Sequence, residues 1–204
     1  KGYKEADINL GCPFPLLAKR HNGSGILPYP DEVKTLLGLT LKYPQISFSV
    51  KMRLGWENPD ECLQLAPILN DLPLRHITMH PRLGKQQYKG SVDLNGFDAF
   101  LNVCQHPLIY NGDINCPDDV HRIRQQFPAL AGVMIGRGLL ANPALALEYR
   151  QNRALEFDEM REKLQSMHKC VYNQYAEQLE GGDEQLLNKM KTFWEYLMPQ
   201  ADRK

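Results

Sequence analysis

A chain of 204 residues, 43% of them hydrophobic, is long enough to bury the core of one large and one small domain, which excludes disorder as its native state. Its 24 basic side chains are balanced by 24 acidic ones, which argues against a protein that coats nucleic acid non-specifically. Five scattered cysteines, odd in number and without a C-x-x-C pair, indicate neither a disulfide framework nor a zinc site.

The N-terminal residues lack the layout of a signal peptide, and no apolar run approaches the roughly 18 residues of a membrane span, so a soluble, cytoplasmic protein is expected. The first residue is Lys1 rather than Met, and an apolar segment begins within five residues. The chain is therefore expected to be part of a longer product.

Residues 6–10 predict a first buried strand, running into Gly11-Cys12-Pro13 and then Gly23-Ser24-Gly25. This places a thiol at a strand's C-terminal end, with proline to fix the turn and glycines to allow close backbone approach. Thiols titrate near pH 8.5 and hold a proton to donate at neutral pH; a buried structural cysteine is the alternative. Helical spacing follows over 31–42, and then a strand over 46–52 that leads through Lys51-Met52-Arg53. A lysine in an otherwise apolar strand is costly to bury unless it meets an anion or an acceptor. Lys51 thus suits the electron-rich edge of a cofactor, or else a salt bridge inside the fold.

A helix over 60–70 precedes a strand over 76–79, followed by His80-Pro81-Arg82 and the loop Gly84-Lys85-Gln86-Gln87-Tyr88-Lys89-Gly90. His76 and His80 have the spacing of a metal pair but lack the helix and glutamate of a zinc protease, so no metal is expected. The loop mixes cations, amides and an aromatic, a combination that holds phosphates and stacks on bases, though a solvated loop can look the same. A helix over 94–103, a strand over 108–110 ending in Asn111-Gly112-Asp113, a helix over 118–127, and a strand over 132–135 ending in Gly136-Arg137-Gly138 complete the alternation. Pro143 then favours the first turn of a helix over 142–150.

The order is βα, five times over, which means a parallel sheet of the open doubly wound type or part of a (βα)8 barrel. No G-x-G-x-x-G follows the first strand. The late glycine turns resemble the phosphate loops after the last two strands of a TIM barrel. The expected fold is therefore α/β, a TIM barrel represented by its C-terminal five βα units, with three units lying upstream. Residues 1–153 form this barrel portion. Residues 154–204, with helical stretches at 158–177 and 183–197 and ten acidic against seven basic side chains, form a small helical domain.

In a parallel βα fold the chemistry sits where strands end. Those segments carry Lys19, Arg20, Lys51, Arg53, Arg82, Lys85, Lys89 and Arg137 against the single acid Asp113. A positive active face able to draw in an anionic ligand such as a phosphate is expected, unless the loops hold ordinary solvated charges.

With these motifs in hand, the sequence resembles the dihydrouridine synthases over nearly its whole length. The likeness rests on Asp7 to Pro13, Val50 to Arg53, His80-Pro81-Arg82 with Gln87 to Gly90, Asn111-Gly112-Asp113 and Gly136-Arg137-Gly138, all in the family's order. It implies a barrel that binds flavin mononucleotide (FMN) and uses NADPH to reduce chosen uridines of tRNA, with a C-terminal helical domain that binds tRNA and with no stable protein partner.

The resemblance further implies that Cys12 protonates C5 of uracil while hydride from the flavin reaches C6, with Asn9 near the base. Lys51 and His80 would contact the flavin ring. Asn111, Gly112, Asp113, Gly136 and Arg137 would hold its phosphate end, while Arg82, Lys85, Gln86 and Tyr88 would face the RNA. Pro81 and Leu16 depart from the family's usual glycine and polar residue. An FMN barrel acting on a free pyrimidine such as dihydroorotate, and a non-catalytic RNA-binding relative, are the alternatives.

Overall fold

The computed structural model describes residues 2–195 and 197. The predicted helix over 183–197 and the region 154–204 run past this range: residues 196 and 198–204 lie outside the described residues. Elements follow in the order β1 (Glu5–Leu10), α1 (Pro15–Ala18), α2 (Pro30–Gly38), β2 (Ser47–Gly55), α3 (Glu61–Asn70), β3 (Leu74–Leu83), α4 (Leu94–Val103), β4 (Leu108–Asn111), α5 (Pro117–Gln126) and β5 (Gly132–Met134). Then come α6 (Arg137–Ala141), α7 (Leu145–Gln151), α8 (Phe157–Gln178) and α9 (Gly182–Trp194). Single 3-10 turns at Gly23–Ile26 and Leu39–Lys42 flank α2.

The five strands are all parallel and lie in the order β1-β2-β3-β4-β5. A doubly wound sheet would reverse direction at a switch point, whereas unbroken sequential order is that of a barrel wall. The expected fold class, five βα units of TIM-barrel type with a helical C-terminal region, is what the chain adopts.

Strand alternation divides the sheet into two chemically different faces. Val50, Met52, Leu54, Ile77, Met79, Leu108 and Tyr110 are all buried, as are Val33, Leu37, Leu65, Leu69, Phe97 and Phe100 on α2, α3 and α4. Phe97 meets Tyr110 and Phe127 edge-on at 5.2 and 5.0 Å between ring centres. Each such aliphatic or aromatic side chain contributes about 1.5–3 kcal/mol by leaving water. The intervening residues, Asp7, Asn9, Ser49, Lys51, Arg53, Thr78 and His80, are polar and share the opposite face by register.

β3 is longer than its apolar run suggested. His80, Pro81 and Arg82, expected in a loop, belong to the strand. A register shift between Arg53/His80 and Gly55/Leu83 accommodates Pro81, since an irregularity relieves the ladder of the amide that proline lacks.

Two compact units divide the chain, one of residues 1–113 with 124–134, the other of 114–123 with 135–204. The boundary expected at 153/154 falls inside the second unit, which takes in α6 and α7 as well as α8 and α9. Within it, a reciprocal capping box between Glu156 and Glu159 starts α8. The Trp194 indole donates to His168 Nδ1 at 3.1 Å, tying α9 to α8. No helix of the described residues is long and apolar enough to cross a membrane.

Candidate functional site

Cys12 is half-buried just beyond β1. Its carbonyl accepts both the Ser24 amide and the Ser24 hydroxyl at 2.9 Å, so the loop folds back on itself. Gly23 makes this closure possible: its φ is +59°, and a β-carbon there would lie 2.6 Å from the Cys12 carbonyl oxygen. One turn earlier, Asn9 Oδ1 accepts the Gly11 amide at 3.0 Å, which orients the Asn9 side chain at the strand exit.

Lys51 lies directly across from Asn9 on one side and Thr78 on the other. Cys12 leaves β1 two residues after the Leu10–Met52 pair, so thiol and ammonium belong to the same end of adjacent strands. Burial, and then the neighbouring Arg53 cation, lowers the Lys51 pKa below the ordinary lysine range, with Asp7 opposing. Its ammonium is therefore a desolvated charge that gains from any electron-rich partner.

His80 is register partner to Arg53 and is 6% exposed. Burial first, then the charges of Arg53, Lys51 and Arg82, hold its pKa down to about 3, so the imidazole is neutral at physiological pH. Arg82 donates to His80 Nε2 at 3.3 Å; since arginine only donates, the ring proton sits on Nδ1.

Arg82 was expected to face RNA, and the structure places it elsewhere. It is 2% exposed, forks onto Asp113 at 2.8 and 2.5 Å, and donates to the Gly90 carbonyl at 2.6 Å. A bidentate carboxylate permits this burial. Arg53, another of the cations expected on the positive face, is also buried, at 1% exposed. It donates to the Gly11 carbonyl at 3.0 Å and to those of Leu83 and Gln87 at 2.9 and 2.7 Å, stapling the Cys12 loop to the loop after β3. Two of the eight cations counted at strand ends, Arg53 and Arg82, are therefore internal and add nothing to an exposed positive surface.

In the loop after β3, Lys85 and Tyr88 are exposed and Gln86 is half-buried. Lys85 pairs with Glu57, and Gln86 Oε1 accepts the Leu83 amide at 2.7 Å. The Tyr88 ring lies 5.5 Å from the Arg53 guanidinium carbon and 6.4 Å from the His80 ring.

Asn111 bridges strand ends, its amide donating to the Met134 carbonyl at 2.9 Å. A β-carbon on Gly112 would lie 3.4 Å from His80 Cδ2, so the Asn111-Gly112-Asp113 turn rests against the imidazole while Asp113 binds Arg82. In the second unit, Gly136 and Arg137 are exposed at the start of α6. Among the described residues, no group of three or more His, Cys, Asp or Glu side chains is placed to hold a metal.

The site in the first unit thus brings Asn9, Cys12, Lys51, His80 and the Asn111–Asp113 turn to one end of the sheet. Sequence reasoning missed Thr78 and the staple made by Arg53. Alternation was the available signal, since Lys51 with Arg53 and Thr78 with His80 are each two residues apart.

Comparison with known proteins bears on this arrangement. The family model for dihydrouridine synthase (Dus) matches residues 1–202. The chain is 32% identical over 145 residues to tRNA-dihydrouridine synthase B of Pasteurella multocida, covering 71% of this chain and 43% of that protein. It is 36% identical over 138 residues to a probable tRNA-dihydrouridine synthase of Rhizobium leguminosarum, covering 67% and 43%. The chain spans about half the length of the curated relatives it matches, for example 56% of the protein of Shewanella oneidensis. Among solved structures, morphinone reductase is similar in fold, with a TM-score of 0.51 at 17% identity over 76% of this chain and 46% of that one.

Proposed function

The chain belongs to the dihydrouridine synthase family, and on that premise we propose that the whole protein reduces chosen uridines of tRNA to 5,6-dihydrouridine, holding FMN as cofactor and drawing on NADPH as reductant. The supporting observation is the shared register of Asn9, Lys51 and Thr78 on one polar sheet face, with Cys12 leaving the same end.

The first unit's residues suit a flavin. Thr78 Oγ1 and Arg82 Nε are buried without a hydrogen-bond partner, and Lys51 is a partly desolvated cation. A planar ring bearing several carbonyl and ring-nitrogen acceptors answers those donors. Bound and reduced, FMN supplies the hydride that goes to C6 of the uracil.

The chain's own residues do the rest. The Cys12 thiol delivers its proton to C5, a general-acid step worth about 10²–10⁴-fold. Asn9 orients the base, and Lys51 offers positive charge to the ring edge where negative charge collects, an electrostatic role preorganised by burial. Neutral His80 presents its Nδ1–H as a donor without adding another cation. In the first unit the Asn111-Gly112-Asp113 turn is the proposed contact to the phosphate end of the cofactor, and the family resemblance assigns the same role to Gly136 and Arg137 of the second unit. Lys85, Gln86 and Tyr88 contact the RNA, with Arg82 acting behind them through Asp113 and Gly90. The C-terminal helical region contributes tRNA contacts, and the location of the substrate puts the protein in the cytoplasm.

The test is direct. The purified protein is yellow, and with NADPH it forms dihydrouridine in tRNA taken from a strain deleted for it. A colourless protein, or tRNA whose dihydrouridine content is the same with and without the gene, defeats the proposal. Turnover of free uracil or orotate instead of tRNA points to a small-pyrimidine enzyme.

A further inference from the structure

Glu61 is a buried carboxylate, 7% exposed, that takes no part in the chemistry above. It opens α3, where the helix N-terminus favours an anion, yet its hydrogen bonds run to the turn that follows β2. Oε2 accepts the Trp56 amide at 2.7 Å, while Oε1 accepts those of Glu57 and Asn58 at 3.1 and 2.9 Å. Three amides converging on one carboxylate fix the turn's backbone. Gly55 is needed for the closure, since a β-carbon there would stand 2.1 Å from the Asn58 carbonyl oxygen and 2.8 Å from Glu61 Oε2.

What this turn holds in place is the start of the loop after β3. The Gly55 carbonyl accepts the Gly84 amide at 2.8 Å, and the Trp56 carbonyl accepts that of Lys85 at 3.1 Å. The Trp56 ring packs on Gly84 so closely that a β-carbon at 84 would lie 2.2 Å from Cε3. Glu57, whose amide Glu61 holds, pairs through its side chain with Lys85. Four contacts therefore pass from one turn to the root of residues 84–90, and a single carboxylate organises that turn.

We propose that Glu61 is a positioning residue for substrate: by fixing the 56–58 turn it sets the loop that carries Lys85, Gln86 and Tyr88. Its effect on turnover rests on the RNA-facing function proposed for those three residues. Its effect on the loop rests on the geometry alone.

Glu61→Gln in the whole flavin-loaded protein is the test, because it replaces one acceptor oxygen by a donor facing an N–H. The expected result is a KM for tRNA raised roughly tenfold, with kcat and flavin content kept within about twofold, the size of losing one charge-assisted hydrogen bond. Amide exchange at Gly84 and Lys85 accelerates by roughly the same factor, while that of Met52 within β2 does not. A variant that only melts earlier, with unchanged KM and unchanged exchange at Gly84 and Lys85, overturns the proposal and leaves Glu61 a residue that stabilises the 56–58 turn alone. Should Glu61→Gln fail to fold, Glu61→Asp keeps the charge but shortens its reach, and is held to the same two readouts. If the wild-type protein forms no dihydrouridine, the functional proposal fails, while exchange at Gly84 and Lys85 still decides whether Glu61 sets the loop.

Discussion

Asn9 and Lys51 are register partners on adjacent parallel strands, with Thr78 next in line. A side-chain amide and a desolvated ammonium are thus held beside one another by backbone hydrogen bonds rather than by loops. Pairing of this kind fixes the spacing of the two groups before any ligand is bound.

Cys12 stands half-buried on a loop closed by Ser24 and Gly23, outside the buried hydrophobic core. Cys12→Ala is expected to retain the flavin absorption band and lose about 10²–10⁴-fold in dihydrouridine formation. Comparing bound flavin with turnover in the same preparation checks this, and wild-type turnover in the variant refutes the acid role.

Lys51 carries a charge that burial and Arg53 both disfavour. Lys51→Met relieves that penalty, so the fold should survive, but kcat is expected to fall by about 10²–10³ as the ring edge loses its cation. Single-turnover kinetics of the reduced enzyme with tRNA measure this step apart from product release.

His80 gives a pH signature. Its pKa is near 3 when folded against about 6.5 when unfolded, so below pH 6.5 the unfolded chain takes up a proton that the folded chain refuses. Stability is therefore expected to fall as pH drops from about 6.5 toward 3, by up to about 1.4 kcal/mol per pH unit from this group. Urea titrations at several pH values should show a shallower slope for His80→Gln, and parallel curves for the two proteins would contradict it.

Arg53 satisfies three carbonyls, those of buried Gly11 beyond β1, half-buried Leu83 at the end of β3 and exposed Gln87 in the loop that follows. Arg53→Met is expected to cost about 2 kcal/mol or more, since the Gly11 and Leu83 carbonyls lose their partner away from water and each orphaned buried acceptor carries a penalty of about 1–3 kcal/mol. Arg53→Lys should recover little of this, because one ammonium cannot fork as a guanidinium does. Denaturant midpoints with matched m-values provide the measurement.

Much of this protein is legible from its residues in order. Apolar runs around Ala6, Val50, Ile77, Ile109 and Val133 mark five strands because a buried parallel strand must be apolar on at least one face, and the amphipathic stretches between them mark the covering helices. β3 runs beyond the apolar residues that mark it, through Pro81 to Leu83, because a register shift lets the strand carry a proline. The short helix α6, five residues long, offers too little periodicity to be found.

Charge in the site was the harder matter. Arg82 and Lys85 look alike in a basic loop, but one is buried against Asp113, 31 residues away, and the other is exposed beside Glu57. Local pattern and composition settle which segments become strands and helices, because those depend on neighbours within a few residues. Whether an arginine is a surface cation or an internal staple depends on partners brought close only when the sheet assembles, and the cost of burying a charge makes that assembly, not the residue type, decide.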